Sequence, residues 1–204
     1  MRNQTEKLLI ATSNPGKVNE LKGFLDGASF ELLSLTDFSA ITEVEEIGRT
    51  FDENARLKAS GYALQTGLPA LADDSGLEVE GLGGRPGVLS ARYGGASTSF
   101  TEKMAELLVE LSETGNSNRR ARFVCSMAIA DARGEILSAA VGICDGKLAF
   151  EPRGIHGFGY DPLFIPDGFD QTFGELSEGV KREISHRSRA FAQIIPFLRH
   201  FNAV

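Results

Sequence analysis

Residues 8–21 read Leu8-Leu9-Ile10-Ala11-Thr12-Ser13-Asn14-Pro15-Gly16-Lys17-Val18-Asn19-Glu20-Leu21, or LLIATSNPGKVNEL. A short apolar run passes into a polar loop. Val18, Leu21 and Leu25 then recur at helical spacing, before a stop at Gly27. The pattern is strand, loop, helix. Asn14 suits the N-cap, and Pro15 falls at the first helical position, where its missing N–H costs nothing.

Thr50-Phe51-Asp52-Glu53 is a T-x-x-E capping box. It predicts a helix to about Gln65, closed by Gly67. Leu68 to Ala72 predicts a short strand that ends in Asp73-Asp74-Ser75-Gly76. Leu77 and Val79 alternate with Glu78 and Glu80 as a second strand. Residues 81–95 are glycine-rich and read as a functional loop, followed by an amphipathic helix over Thr101 to Leu111. Phe123, Cys125, Met127 and Ile129 then alternate with smaller or polar residues. Asp131 to Gly134 turns the chain, Ile136 to Ile143 returns, and Asp145-Gly146 reads as a hairpin turn. Ser177 and Ser185 are placed to cap two late helices, the second kinked by Pro196. The expected class is α/β: helix-flanked strands, then hairpin strands, then helices.

The chain has 204 residues, 42% hydrophobic, enough for one substantial core and a single domain of two lobes. Its net charge of −7 argues against a nucleic-acid partner, which needs a basic face. No run approaches the ~20 apolar residues of a membrane helix, and the first residues lack a signal peptide's apolar stretch. Cys125 and Cys144 have no zinc spacing and sit in strand-like runs, so two buried free thiols in the cytoplasm are expected.

Chemistry concentrates in four places. Thr12 to Lys17 leads from a strand to a helix N-terminus, where free N–H groups, the helix dipole and Lys17 favour an anion. It lacks the GxxxxGK[ST] pattern of a Walker A loop. Asp73-Asp74-Ser75 follows an apolar strand, and Glu43-Val44-Glu45-Glu46 precedes the capping box. Crowded carboxylates beside an anion site suit magnesium, which takes few protein oxygens and completes its shell with water and phosphate. Asp73 or Asp74 could take a proton from water, and spacing leaves both open because neighbours in extended chain point oppositely.

GIHGFGYDPLF, residues 154–164, sets Phe158 and Tyr160 among glycines with Asp161 beside them. A planar base could stack on such a ring. Asp161 could accept from a base N–H, and His186 or Arg187 could donate to a 6-keto group. Each feature also has an ordinary structural reading: a capped helix, a solvated acidic turn, an aromatic cluster under a tight turn.

The order of five blocks, IATSNPGKVNEL, EEIGRTFDENARLKA, LADDSGLEVEGLGGRPGVLSARY, GFGYDPLF and ISHRSRA, spans nearly the whole chain. In it the sequence resembles the Ham1-like non-canonical purine NTP pyrophosphatases, also called XTP/dITP pyrophosphatases. The resemblance implies cleavage of XTP, ITP and dITP to a monophosphate and pyrophosphate, with magnesium and as a homodimer. It implies an elongated two-lobed α/β fold with a long curved mixed sheet, one domain over residues 1–204 around a substrate cleft. The family's phosphate loop falls on Thr12, Ser13, Asn14, Pro15, Gly16 and Lys17. Its metal carboxylates match Glu45 and Asp74, and Asp74 matches the proton acceptor. Glu45 is preferred to Glu46 because it stands three residues before Gly48. Ser75 matches a substrate contact. Phe158, Gly159, Tyr160 and Asp161 match the base pocket, and Lys181, His186 and Arg187 match the remaining contacts. One departure is Ser13, where the family often has glycine; serine still donates hydrogen bonds but takes a left-handed backbone less cheaply. Two other readings are a Maf-like pyrophosphatase of different base preference, and a non-catalytic nucleotide sensor. The keto-reading set opposes the first, and the intact carboxylates oppose the second.

Overall fold

A computed structural model describes residues 6–27, 30–95 and 97–201. Strand β1 is Glu6–Ile10, followed by helix α1, Pro15–Phe24. Then come β2 (Phe30–Ser34), α2 (Phe51–Thr66), β3 (Ala70–Val79), α3 (Phe100–Glu113), β4 (Arg120–Ala130) and β5 (Ile136–Leu148). β6 (Phe164–Pro166), α4 (Glu178–Ile184) and α5 (His186–Arg199) complete the order. The strands form one mixed sheet in the order β2-β1-β3-β4-β5-β6. β1 pairs in parallel with β2 and β3, and β5 pairs antiparallel with β6.

The local signals hold where a side chain closes its own hydrogen bonds. Asn14 caps α1, accepting from Gly16 N and Lys17 N, with Pro15 in the first turn. Thr50 and Glu53 form the reciprocal box of α2, which ends on a left-handed Gly67. Ser177 caps α4, and Ser185 accepts from Ser188 N at the start of α5. α5 continues through Pro196 to Arg199. Cys125 and Cys144 are buried and free.

Two expected breaks are absent. Asp73-Asp74-Ser75-Gly76 does not separate two strands; it is the middle of the ten-residue β3. Asp145-Gly146 is not a hairpin turn either, because β5 runs through it. Gly146 pairs with Pro166, and a Cβ there would collide with the Ile165 carbonyl, so this glycine admits β6 rather than turning the chain. The turn lies earlier, where Asp131 N–H donates to Glu135 O between β4 and β5.

The chain divides into two compact units: residues 1–74, 125–141 and 190–204, and residues 75–124 and 142–189. In the first, period-2 alternation sorts the sheet into two faces. Leu8, Ile10, Leu71, Cys125, Met127 and Ile129 pack with Leu21 and Leu25 of α1 and with Phe191 and Ile194 of α5. Leu9, Ala11, Ala70, Ala72, Ala128 and Ala130 pack with Ala55, Ala59, Tyr62 and Ala63 of α2. The second face is built almost wholly of alanine, which lets α2 lie close to the strands. In the second unit, Leu77, Val79, Phe123 and Phe164 pack with Met104, Leu107 and Leu111 of α3.

The two faces respond oppositely to volume. Leu71→Ala opens a cavity in a fully buried site and should cost about 2–5 kcal/mol. Ala72→Leu, one residue on, should cost roughly 1–3 kcal/mol by overpacking the alanine face. Urea midpoints compared with wild type check both, and a neutral Ala72→Leu would mean that α2 is not held close to the strands.

Candidate active site

β3 carries its two aspartates on opposite faces, as extended chain requires. Asp73 shares the parity of Leu71 and points to the α1 side, where its Oδ2 lies 3.0 Å from Lys17 Nζ. Asp74 shares the parity of Ala70 and Ala72 and points to the α2 side. There Asn54 Nδ2 donates to its Oδ2 at 3.1 Å, and Lys58 Nζ lies 3.4 Å from its Oδ1. Asn54 and Lys58 are one helical turn apart on α2, so one stripe of that helix supplies both.

The same stripe holds the segment before the helix. Thr42 N–H donates to Gln65 Oε1, Val44 N–H to the Tyr62 hydroxyl, and Gly48 N–H to Asn54 Oδ1. Glu46 Oε1 is 2.6 Å from Lys58 Nζ. Residues 42, 44, 46 and 48 thus run along residues 65, 62, 58 and 54. The geometry is simple: two residues of extended chain advance about 6.6 Å, close to the ~5.4 Å of a helical turn. Alternation then decides which acid faces inward. Glu46 turns toward α2 and Asp74, while Glu45 and Ile47 are exposed. Counting back from Gly48 points to Glu45; the period of the segment brings in Glu46 instead.

Burial raises the Asp74 carboxyl above its ordinary range; Lys58 and Lys17 oppose this and Glu46 adds to it. For Lys58, burial pulls the ammonium down, but Asp74, Asp73 and Glu46 outweigh it and the net direction is up. Lys58 therefore stays charged between two acids. Among the described residues no three His, Cys, Asp or Glu side chains converge as a metal set. Glu46 and Asp74 reach a common point, however, since each has an oxygen within 3.4 Å of one Nζ. A pair of hard carboxylates aimed at one cation position fits magnesium, which keeps several waters and takes phosphate oxygens.

In the loop, Asn14 Oδ1 accepts from Gly16 N at 2.9 Å and Lys17 N at 3.2 Å, and Thr12 Oγ1 accepts from Asn14 N at 3.3 Å. These bonds shape the turn. Ser13 is exposed, and no described residue other than glycine has a positive φ, so its backbone pays no left-handed penalty. Pro15 is exposed at the helix start.

The second unit gathers the remaining residues. Arg187 Nη2 donates to Ser75 Oγ at 2.8 Å from a fully buried position. The Phe158 ring lies 4.6 Å from Lys181 Nζ and 5.6 Å from Arg187 Cζ. His186 is buried with its ring stacked on Phe123 at 4.7 Å and 14°. Asp161 accepts from Lys181 Nζ at 2.6 Å and from Phe158 N at 2.7 Å. This carboxylate orients the lysine and closes the turn. Gly157 has φ 72°, and a Cβ there would strike the Asp161 carboxylate. Tyr160 is buried; its hydroxyl donates to Ser90 O and its ring meets Phe100 edge-on at 5.3 Å. Gly159 lies against the same Phe100. Of the two rings expected to offer a stacking face, Phe158 is half-buried, whereas Tyr160 is core.

Sequence reasoning missed Asn54, Lys58 and Phe123. The signal for the first two was present: Asn54, Lys58, Tyr62 and Gln65 form an i, i+4, i+8, i+11 polar row on an otherwise alanine-lined helix. Phe123 carried no such signal.

A family model described as the Ham1 family matches residues 8–197. A dITP/XTP pyrophosphatase of Exiguobacterium sp. is 47% identical over 197 residues, covering 95% of this chain and 99% of that protein. One from Geobacter sulfurreducens is 48% identical over 186 residues, covering 91% and 93%. Among solved structures, a HAM1 protein from Coxiella burnetii superimposes with a TM-score of 0.88 at 38% identity, covering 96% of this chain and 100% of that one. The family match, the sequence identity and the near-complete overlap agree, and the chain belongs to the Ham1 family.

Proposed function

We propose that this chain hydrolyses non-canonical purine nucleoside triphosphates, with dITP, XTP and ITP as substrates, to the monophosphate and pyrophosphate. The observation that carries the reading is the convergence of Glu46 and Asp74 on one cation position. Relatives named dITP/XTP pyrophosphatase at 47% and 48% identity support the substrate class.

In this reading Thr12 to Lys17 hold the triphosphate through backbone N–H groups and the Lys17 ammonium. Asp74 takes the proton from the attacking water, for which a carboxylate raised by burial is the better base. Glu46 and Asp74 would hold magnesium, which when bound neutralises phosphate charge and stabilises the leaving pyrophosphate. Lys58 keeps the two acids together in the absence of a divalent cation. Phe158 offers its ring to the base. Lys181 and Arg187 sit over that ring, with Asp161 holding Lys181 in place. His186 and Arg187 donate toward a 6-keto oxygen, hydrogen bonds that the 6-amino group of adenine, itself a donor, cannot accept.

We take residues 1–204 as one catalytic domain, because a single family model matches residues 8–197. The reading also carries the homodimer and the cytoplasmic location implied by the family resemblance. Two free buried thiols accord with a reducing compartment. Among the described residues no helix is long and apolar enough to cross a membrane.

Pyrophosphate release from ITP, with ATP in parallel and with or without magnesium, is the direct test. ITP should be cleaved far faster than ATP and only with metal; binding without cleavage would make the chain a sensor instead. Asp74→Asn should abolish turnover while the far-ultraviolet circular dichroism stays native, and near-wild-type rates would remove Asp74 from the chemistry. Arg187→Ala should narrow the ITP-over-ATP ratio of kcat/KM, and an unchanged ratio would place base selection on other residues.

A further inference from the structure

The two carboxylates assigned to the metal come from different places, an irregular segment and a strand. Something must hold them in register. Lys58 reaches both, but a lysine side chain is long and loses much rotamer freedom when held. Asn54 is short, fully buried, and touches both sources at once. Its Oδ1 accepts the Gly48 N–H at 2.7 Å, and its Nδ2 donates to Asp74 Oδ2 at 3.1 Å.

We infer that Asn54 is a positioning residue that sets Glu46 and Asp74 relative to one another. The inference rests on reading those two acids as the metal-holding pair. A planar amide carries donor and acceptor in one rigid group, so fixing one bond aims the other. The bond to Oδ2 sets the rotation of the Asp74 carboxylate and leaves Oδ1 on the side of Lys58 and Glu46. The bond from Gly48 anchors the chain two residues beyond Glu46.

The residue types follow from this geometry. Aspartate at 54 is acceptor-only when ionised and would set a charge against Asp74. Leucine would leave the Gly48 N–H without its acceptor. Position 48 is constrained in turn. A Cβ there would lie 2.6 Å from Asn54 Oδ1 and 2.7 Å from Glu53 Cβ, so glycine is what admits the backbone to the amide. The neighbouring Glu53 does a separate job, accepting from Arg49 N and Thr50 N to close the helix cap.

The test compares wild type, Asn54→Ala, Gly48→Ala and the double variant. The magnesium concentration for half-maximal ITP hydrolysis is measured for each. Manganese titrations of nucleotide-free protein, followed by electron paramagnetic resonance, give a readout independent of turnover. Each single variant should weaken metal binding by about 10- to 100-fold. KM for ITP at saturating magnesium should change little by comparison. The double variant should be no worse than the weaker single, because both changes break one staple. Gly48→Ala carries the same test from the segment side if Asn54→Ala does not fold. A metal-dependent wild type with unchanged metal affinity in the variants overturns the role of Asn54 and leaves the catalytic reading standing. A wild type with no metal dependence overturns both.

Discussion

Two adjacent carboxylates stand in the middle of a strand that is buried on both faces, and the rest of the first unit is arranged around them. Asp73 is fully buried and Asp74 nearly so. Burying a charge without an opposing one costs several kcal/mol. The strand offers no relief of its own, because its side chains alternate and the two acids cannot share a partner on one face. Each face therefore has its own lysine: Lys17 from the start of α1 for Asp73, and Lys58 from the middle of α2 for Asp74. Both helices bring a lysine to the strand while packing their apolar sides against it.

The requirement explains the packing. A lysine and an asparagine on α2 reach into the strand only if the helix lies close to it, and alanine on both sides of the contact gives that closeness. On the other face, large aliphatic and aromatic side chains fill the space under α1 and α5. The segment over residues 42–48 then lies along the polar stripe of α2, anchored at every second residue. Three structural parts thus meet at Asp74: a strand, a helix and an extended segment. Glu46 of the segment and Asp74 of the strand share the Lys58 ammonium of the helix.

In the second unit the same logic is run with aromatic rings. Lys181 is bound by Asp161 and lies over Phe158, and Arg187 is tied to Ser75 on the same ring. The cations are held in place by an acid, a hydroxyl and a π-face. Tyr160 and Phe100 meet edge-on, and Gly159 lies against the same Phe100.

Features that depend on near neighbours are legible in the amino-acid order. The caps at Asn14, Thr50, Ser177 and Ser185, the end of α2 at Gly67 and the turn at Asp131 are closed by bonds within a few residues, so local chemistry suffices. Motif order was legible too, and with it the family. The other choices are made by partners far away in the chain. Asp-Asp-Ser-Gly and Asp-Gly have turn chemistry, yet both are strand, because lysines on two helices neutralise the first and a neighbouring strand pressed on Gly146 claims the second. Glu46 faces inward instead of Glu45 because an extended segment with a two-residue period lies on a helix, and that parity exists only once the two are packed. Asp161 is bonded to Lys181, twenty residues on in the sequence, and Tyr160 to Ser90, seventy residues back, which no local pattern encodes.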